Sequence, residues 1–231
     1  MKKTEIQIEN RECYLYSTKN PEFVLIQPVD EHDIAVLDNE VSQIKNSGME
    51  FILSAFRIHD WNSELTAWNA PQAFGDNCFG DKAGETLQYI TENLIPELNR
   101  MFHETEKYIL GGYSLAGLFS LWSAYQTDIF SGISAVSPSV WIKGWIPFAE
   151  SHEIRAEAVY LSLGNHEHKT RNAMMKTVRG NIIRQSELLK NQKSVLEWNE
   201  GNHFQNPDLR TAKGFVWIME QLRKSKGEIG L

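Results

Sequence analysis

The stretch KYILGGYSLAGLFSLW, residues 107–122, decides the fold. A short apolar run ending at Leu110 meets two glycines, a tyrosine and a serine, and a helical pattern starts at once from Leu115. A strand that gives way to a helix this abruptly suits a layered α/β architecture. Ser114, at the junction, has two readings. Its hydroxyl can cap the helix that starts at Leu115. Alternatively, it is a nucleophile on a sharp, strained turn that lifts the hydroxyl clear of the sheet. Such a turn is crowded and demands small residues two before and two after the serine. Gly112 and Ala116 occupy those places. The usual pattern is G-x-S-x-G; this chain has G-Y-S-L-A-G, with alanine at the second small position and Gly117 behind it.

Around this stretch, short apolar runs alternate with helical patterns. TEIQIEN and ECYLYST alternate with a two-residue period, which predicts an N-terminal antiparallel hairpin turning near Asn10 and Arg11. FVLIQPV (23–29) and EFILSAFRI (50–58) are continuous apolar runs, as expected of strands buried on both faces. Helices are predicted at about 34–46, 85–102, 115–125, 171–191 and 207–224. Further strands are predicted at GISAVS, AVYLSLG and SVLEWN. The alternation implies an α/β domain over residues 1–231, with a mostly parallel central sheet and helices on both faces. Residues 59–81 break the rhythm, having neither period. A connection that long is usually functional or disordered. Trp61, Trp68, Phe74 and Phe79 argue for an ordered pocket wall, the alternative being a surface loop pinned by its aromatics.

Bulk properties narrow the function. The chain has 231 residues, 42% hydrophobic and 23% charged, so it can bury a sizeable core. Its net charge of −7 argues against a nucleic-acid partner. Basic residues thicken from Lys169 to Lys193, at a helical spacing that fits a solvated face. No apolar run approaches the roughly 20 residues of a membrane span, and the start MKKTEIQIEN lacks the apolar core of a secretory signal. No membrane association and a cytoplasmic location are expected. Cys13 and Cys78 have no metal or redox spacing and read as free thiols rather than a disulfide.

A hydroxyl is a poor nucleophile at neutral pH and needs a general base. In this architecture the base follows the last strand and precedes the last helix. His203 lies there, after Gly201 and Asn202, in LEWNEGNHFQNPDLRTAKGFVWI. The base in turn needs a carboxylate to fix its tautomer, from the end of the preceding strand. VYLSLGNHEHKTRN supplies Glu167, with Glu200 and Asp208 as rivals nearer in sequence. The chain order is then serine, acid, histidine. His166 and His168 flank the glutamate, but no third ligand stands at a persuasive spacing, so no metal is expected. An oxyanion would need two N–H donors. Leu115, at the head of the helix, offers one. The other is expected from the loop after FVLIQPV, over residues 27–29; Pro28 has no N–H, which leaves Gln27 or Val29.

The combination GGYSLAGLFSLW, SPSVW, YLSLGNHEHKTRN and EGNHFQNPDLRTAKGFVW resembles the α/β-hydrolase superfamily, and within it the esterases that include enterochelin-esterase and esterase-D-like proteins. HDWNSELTAWNAP is also similar to that group, and the likeness spans about Phe23 to Met219. The resemblance implies a three-layer α/β-hydrolase fold. It implies Ser114 as nucleophile, Glu167 as acid and His203 as base, with Trp61 and Trp141 near the pocket. Trp68 and Tyr113 are further candidates for pocket lining. The expected activity is hydrolysis of a small-molecule carboxylic ester through an acyl-enzyme, without a cofactor. Two alternatives keep the fold: an acyltransferase or thioesterase with the same three residues, or a non-catalytic binding protein, for which Ala116 speaks. The short hairpin, with no extended N-terminal module, speaks against a siderophore specialist.

Overall fold

The computed structural model describes residues 1–71, 78–102 and 107–228. Phe74 lies outside them. Eight strands form one sheet in the order β1-β2-β4-β3-β5-β6-β7-β8. They are β1 Lys2–Ile8, β2 Arg11–Ser17, β3 Phe23–Val29, β4 Phe51–Arg57, β5 Tyr108–Tyr113, β6 Phe130–Val136, β7 Ala158–Gly164 and β8 Lys193–Asn199. β1 and β2 form the expected hairpin, β2 runs antiparallel to β4, and all other pairings are parallel.

The strand period of two sorts the core into two layers. Phe23, Leu25 and Val29 of β3 face one side, where Leu37, Val41 and Ile44 of helix α1 (Glu31–Lys45) meet Phe215, Ile218 and Leu222 of helix α8 (Pro207–Glu228). Val24 and Ile26 face the other side, toward helices α3 (Ala83–Tyr89), α4 (Ile95–Phe102), α5 (Leu115–Gln126), α6 (Trp145–Ser151) and α7 (Val178–Leu188). Every residue of β3 is buried, which is why FVLIQPV is apolar without alternation.

Three helices depart from expectation for identifiable reasons. α1 starts earlier because Asp30 and Asp33 form a reciprocal capping box. The long helix before β5 contains a π-helical segment, Ile90–Leu94, closed by Ile95 N–H to the Ile90 carbonyl. Pro96 follows and has no N–H for the normal ladder, so the wider turn absorbs the defect. The helix expected from residue 171 is delayed to Val178, because Asn172 Oδ1 accepts from the N–H groups of Met174 and Met175 and holds a turn there.

Residues 59–81 are ordered where described. They contain a short helix α2 (Trp61–Glu64) and a bridge between Ala70 and Phe79. Glu64 anchors the segment: Oε1 accepts from His59 N and Asp60 N, and Oε2 pairs with the buried Arg11 of the hairpin. Cys13 is a buried thiol and Cys78 an exposed one.

Candidate active site

β5 runs directly into α5, with Ser114 as the single residue between them. Its backbone sits at φ 58° and ψ −115°, a region that costs a non-glycine residue about 1–3 kcal/mol. The side chain makes no capping hydrogen bond to α5, so the helix-cap reading fails. Instead, Ser114 Oγ lies 3.0 Å from His203 Nε2 and 3.3 Å from Ser139 Oγ. The turn is pinned by Ser114 N donating to Val136 O and Ser139 N donating to Ser114 O. A Cβ at position 112 would stand 2.6 Å from the Ala116 methyl. Alanine is therefore accommodated at the second small position because Gly112 has no side chain.

His203 sits between β8 and α8. The loop turns at Gly201, whose φ of +99° strains any other residue; a Cβ added there would also displace the Gln205 amide, 1.7 Å away. Gln205 Oε1 accepts from Asn202 N, and Tyr113 Oη donates to the His203 carbonyl at 2.8 Å. The imidazole is thus held from both sides of the loop.

Glu167 follows β7 in a tight turn. Its Oε1 accepts from Gly164 N at 2.6 Å and Ser137 Oγ at 2.7 Å, while Oε2 faces His203 Nδ1 at 2.8 Å. Burial pushes this carboxyl up. The bonds from His203, Ser137 and the Gly164 N–H outweigh burial and hold it below the usual carboxylate range. An ionised carboxylate only accepts, so Nδ1 carries the imidazole proton and Nε2 is left to accept from Ser114 Oγ. Of the rivals, Asp208 is engaged elsewhere, its Oδ2 accepting from Asn39 of α1, and it is Glu167, not Glu200, whose carboxylate meets His203 Nδ1.

The structure redraws the surroundings. Leu115 N–H heads α5, where first-turn donors have no helical partner. Gln27 and Val29 are not in a loop but inside β3. In a strand, N–H and C=O of one residue point to one side and alternate along the chain. Val24 N donates toward β5, to Lys107 O, and Val29 O accepts from Ile58 N on the β4 side. Gln27 and Val29 therefore direct their N–H groups at β4, away from Ser114. Neither is placed to meet an oxyanion. Tyr113, expected in the pocket wall, lies instead beneath His203, its ring centroid 5.1 Å from the imidazole. Trp68 Nε1 donates to Lys143 O, tying residues 59–81 to the segment before α6. Trp141 packs edge-on against Phe79. Trp61 lines a recess of about 260 Å³ at the carboxyl ends of β3 and β4, with Asp30, Arg57 and His59.

Three residues at the site were missed in the sequence. Ser137 and Ser139 touch the acid and the nucleophile. Arg210 reaches Tyr113 Oη, Glu167 and two carbonyls of the histidine loop from α8. Arg210 is buried, yet it sits about 100° round α8 from the buried stripe of Thr211, Phe215, Ile218 and Leu222, so no helical spacing marks it in the sequence.

The family model described as "Putative esterase" matches residues 50–209. The chain belongs to that esterase family. Membership makes it a carboxylic ester hydrolase. The fold is shared with solved structures of low sequence identity. A siderophore hydrolase, EstA, of Aspergillus nidulans superposes with a TM-score of 0.76 at 17% identity, covering 95% of this esterase and 94% of that chain. An IroE-like serine hydrolase of Shewanella oneidensis gives 0.75 at 14%, covering 94% and 79%. The enterobactin esterase FES of Shigella flexneri gives 0.68 at 11%, covering 96% of this chain and 59% of that one. No curated protein sequence matches the chain. Among the described residues of this esterase, no helix is long and apolar enough to cross a membrane.

Proposed function

We propose that this esterase cleaves small-molecule carboxylic esters by nucleophilic catalysis, with Ser114 as nucleophile, His203 as base and Glu167 as the acid that orients it. His203 Nε2 takes the Ser114 proton as Oγ attacks the ester carbonyl. The imidazolium is stabilised by Glu167 Oε2, which stays ionised. The Leu115 N–H at the positive end of α5 donates to the developing oxyanion. His203 then returns the proton to the leaving alcohol, giving an acyl-enzyme, and water activated by the same imidazole cleaves it. The observation that carries this reading is the unbroken relay of 3.0 Å and 2.8 Å from Ser114 through His203 to Glu167, starting at a strained serine backbone. Neighbours described as siderophore hydrolases and as an enterobactin esterase support a small-molecule substrate.

A fluorophosphonate probe tests it. The native chain is expected to be labelled and Ser114→Ala to be blank, with ester turnover falling on the order of 10⁶-fold. Absence of labelling anywhere between about pH 6 and 9, where a serine base of ordinary histidine type is active, would favour the binding-protein alternative. Product analysis with added alcohols or thiols separates hydrolysis from acyl transfer.

A further inference from the structure

Arg210 is 4% exposed, one turn into α8, and its grips are unusual for a helix-borne cation. Nη2 donates to Glu200 O at 2.7 Å, and Nη1 to Asn202 O at 3.1 Å and to Tyr113 Oη at 3.1 Å. Nη1 also stands 3.5 Å from Glu167 Oε1. The two carbonyls bracket Gly201, the residue on which the histidine loop turns. Tyr113, after accepting from Arg210, donates onward to the His203 carbonyl. One side chain thus holds the loop that carries the base, the tyrosine beneath that loop, and the flank of the acid.

We propose that Arg210 is the positioning residue of this site, setting both the place of His203 and the charge balance of the Glu167–His203 couple. The inference rests on the reading of Ser114, His203 and Glu167 given above. The mechanical half follows from the fork: a planar guanidinium satisfies two carbonyls at fixed geometry, which an ammonium on a flexible stem does not. The electrostatic half follows from burial. At 3.5 Å the contact with Glu167 is at the limit of a hydrogen bond, so Arg210 acts on it chiefly as a nearby positive charge. With His203 neutral, Arg210 compensates the buried carboxylate. When His203 gains its proton, two cations face one carboxylate, and Arg210 opposes the imidazolium. The other groups around the couple are Tyr113 from β5 and Ser137 after β6, neither with a permanent charge, and His166 and His168 on the acid's own loop, where the cations Lys169 and Arg179 act on His168.

The test is the pH profile of kcat/KM on the full chain, for Arg210→Met and Arg210→Lys, with melting curves for both. Arg210→Met is expected to lose about 100-fold in kcat/KM, the scale of a small misplacement of a reacting group. Its acid limb should also move to higher pH, because the imidazolium is no longer opposed. Arg210→Lys keeps the charge and loses the fork, so its rate should fall while its acid limb stays with the native one. A folded Arg210→Met with a reduced rate and an unmoved limb would reduce Arg210 to a packing role and overturn the proposal. If the methionine variant does not fold, Arg210→Lys decides: native kcat in that variant overturns positioning by the fork. Fluorophosphonate labelling keeps the two readings apart. Ser114→Ala that still turns over ester sinks the nucleophile assignment, whatever Arg210 does. Loss of labelling in Ser114→Ala with native behaviour in both Arg210 variants sinks only the present inference.

Discussion

Two glutamates are buried among the described residues, and they behave in opposite ways. Glu167 is 9% exposed and Glu40, on α1, is 3% exposed. Glu167 receives Gly164 N–H, Ser137 Oγ and His203 Nδ1 at 2.6–2.8 Å, with Arg210 close by. Glu40 receives one long bond, Gln27 Nε2 at 3.4 Å, and its Oε1 has no hydrogen-bond partner. Burial pushes the Glu40 carboxyl well above the usual range, and the charge of Asp33 pushes it further, beyond what Gln27 can offset. The same desolvation acts on Glu167 and is overcome. The number and shortness of donors, not depth, decides which carboxylate is kept as an anion. Three short donors make Glu167 fit to stabilise an imidazolium, and Glu40 has nothing comparable to stabilise.

The sharpest way to break this contrast is to remove each charge in turn. Glu167→Gln should retain the fold and lose on the order of 10⁴-fold in kcat/KM, since an amide disturbs the imidazole tautomer and removes the anion beneath it. Glu40→Gln should leave kcat/KM within about twofold, a surface-like effect for a group outside the reacting centre. Equal losses in the two variants, measured with one ester at one pH, would show that the contrast has no bearing on catalysis.

Stability against pH gives a smaller effect. Glu167 is depressed in the folded chain. Its contribution is present above its unfolded value and is lost as pH falls through the folded one. Glu40 and Asp33 are raised, so their contribution is fully present at low pH and lost as pH rises. For Asp33, pushed up to about 7 by burial and then by Asp30, that loss is complete once pH has passed 7. Glu40→Gln should therefore melt close to the native chain near pH 4 and increasingly above it toward pH 8. A gain of about 1 kcal/mol from relieving an unsatisfied buried group corresponds to about 2–4 °C in Tm for a chain of this size. A variant that melts lower than native at pH 8 would mean that Glu40 is ionised and paired.

The contrast also explains what could be read in advance. Continuous apolar runs such as FVLIQPV and AVYLSLG announce strands because both faces are buried, and the order of strand ends then points to Ser114, Glu167 and His203. α6 and α2 went unread because seven and four residues are too few to show a helical period. Gln27 and Val29 looked like oxyanion donors because sequence gives the position of an N–H but not its side. That depends on strand parity, which here points both at β4. Ser137, Ser139 and Arg210 were invisible for a related reason. Their importance is a matter of which side chains converge, and a short polar residue after β6 or an arginine in DLRTAKG has no spacing that announces a partner 25 to 97 positions away.

Ser139 offers the finest probe of the well-satisfied side of the comparison. Its Oγ is 3.3 Å from Ser114 Oγ, and Ser139 is 3% exposed. With Nε2 of His203 unprotonated, the Ser114 proton is directed at the imidazole, so Ser139 is the donor and Ser114 Oγ the acceptor. As the Ser114 proton leaves, negative charge builds on Oγ and this bond strengthens, which favours the transition state over the resting one. The bond is long and neutral at rest, of the class that contributes about 0.5–1.5 kcal/mol. Ser139→Ala should therefore lower kcat/KM by about tenfold at most, through kcat rather than KM, with fluorophosphonate labelling slowed but complete. A loss as large as that of Glu167→Gln would place Ser139 inside the reacting relay itself. Native rates would mean that His203 alone holds the Ser114 rotamer.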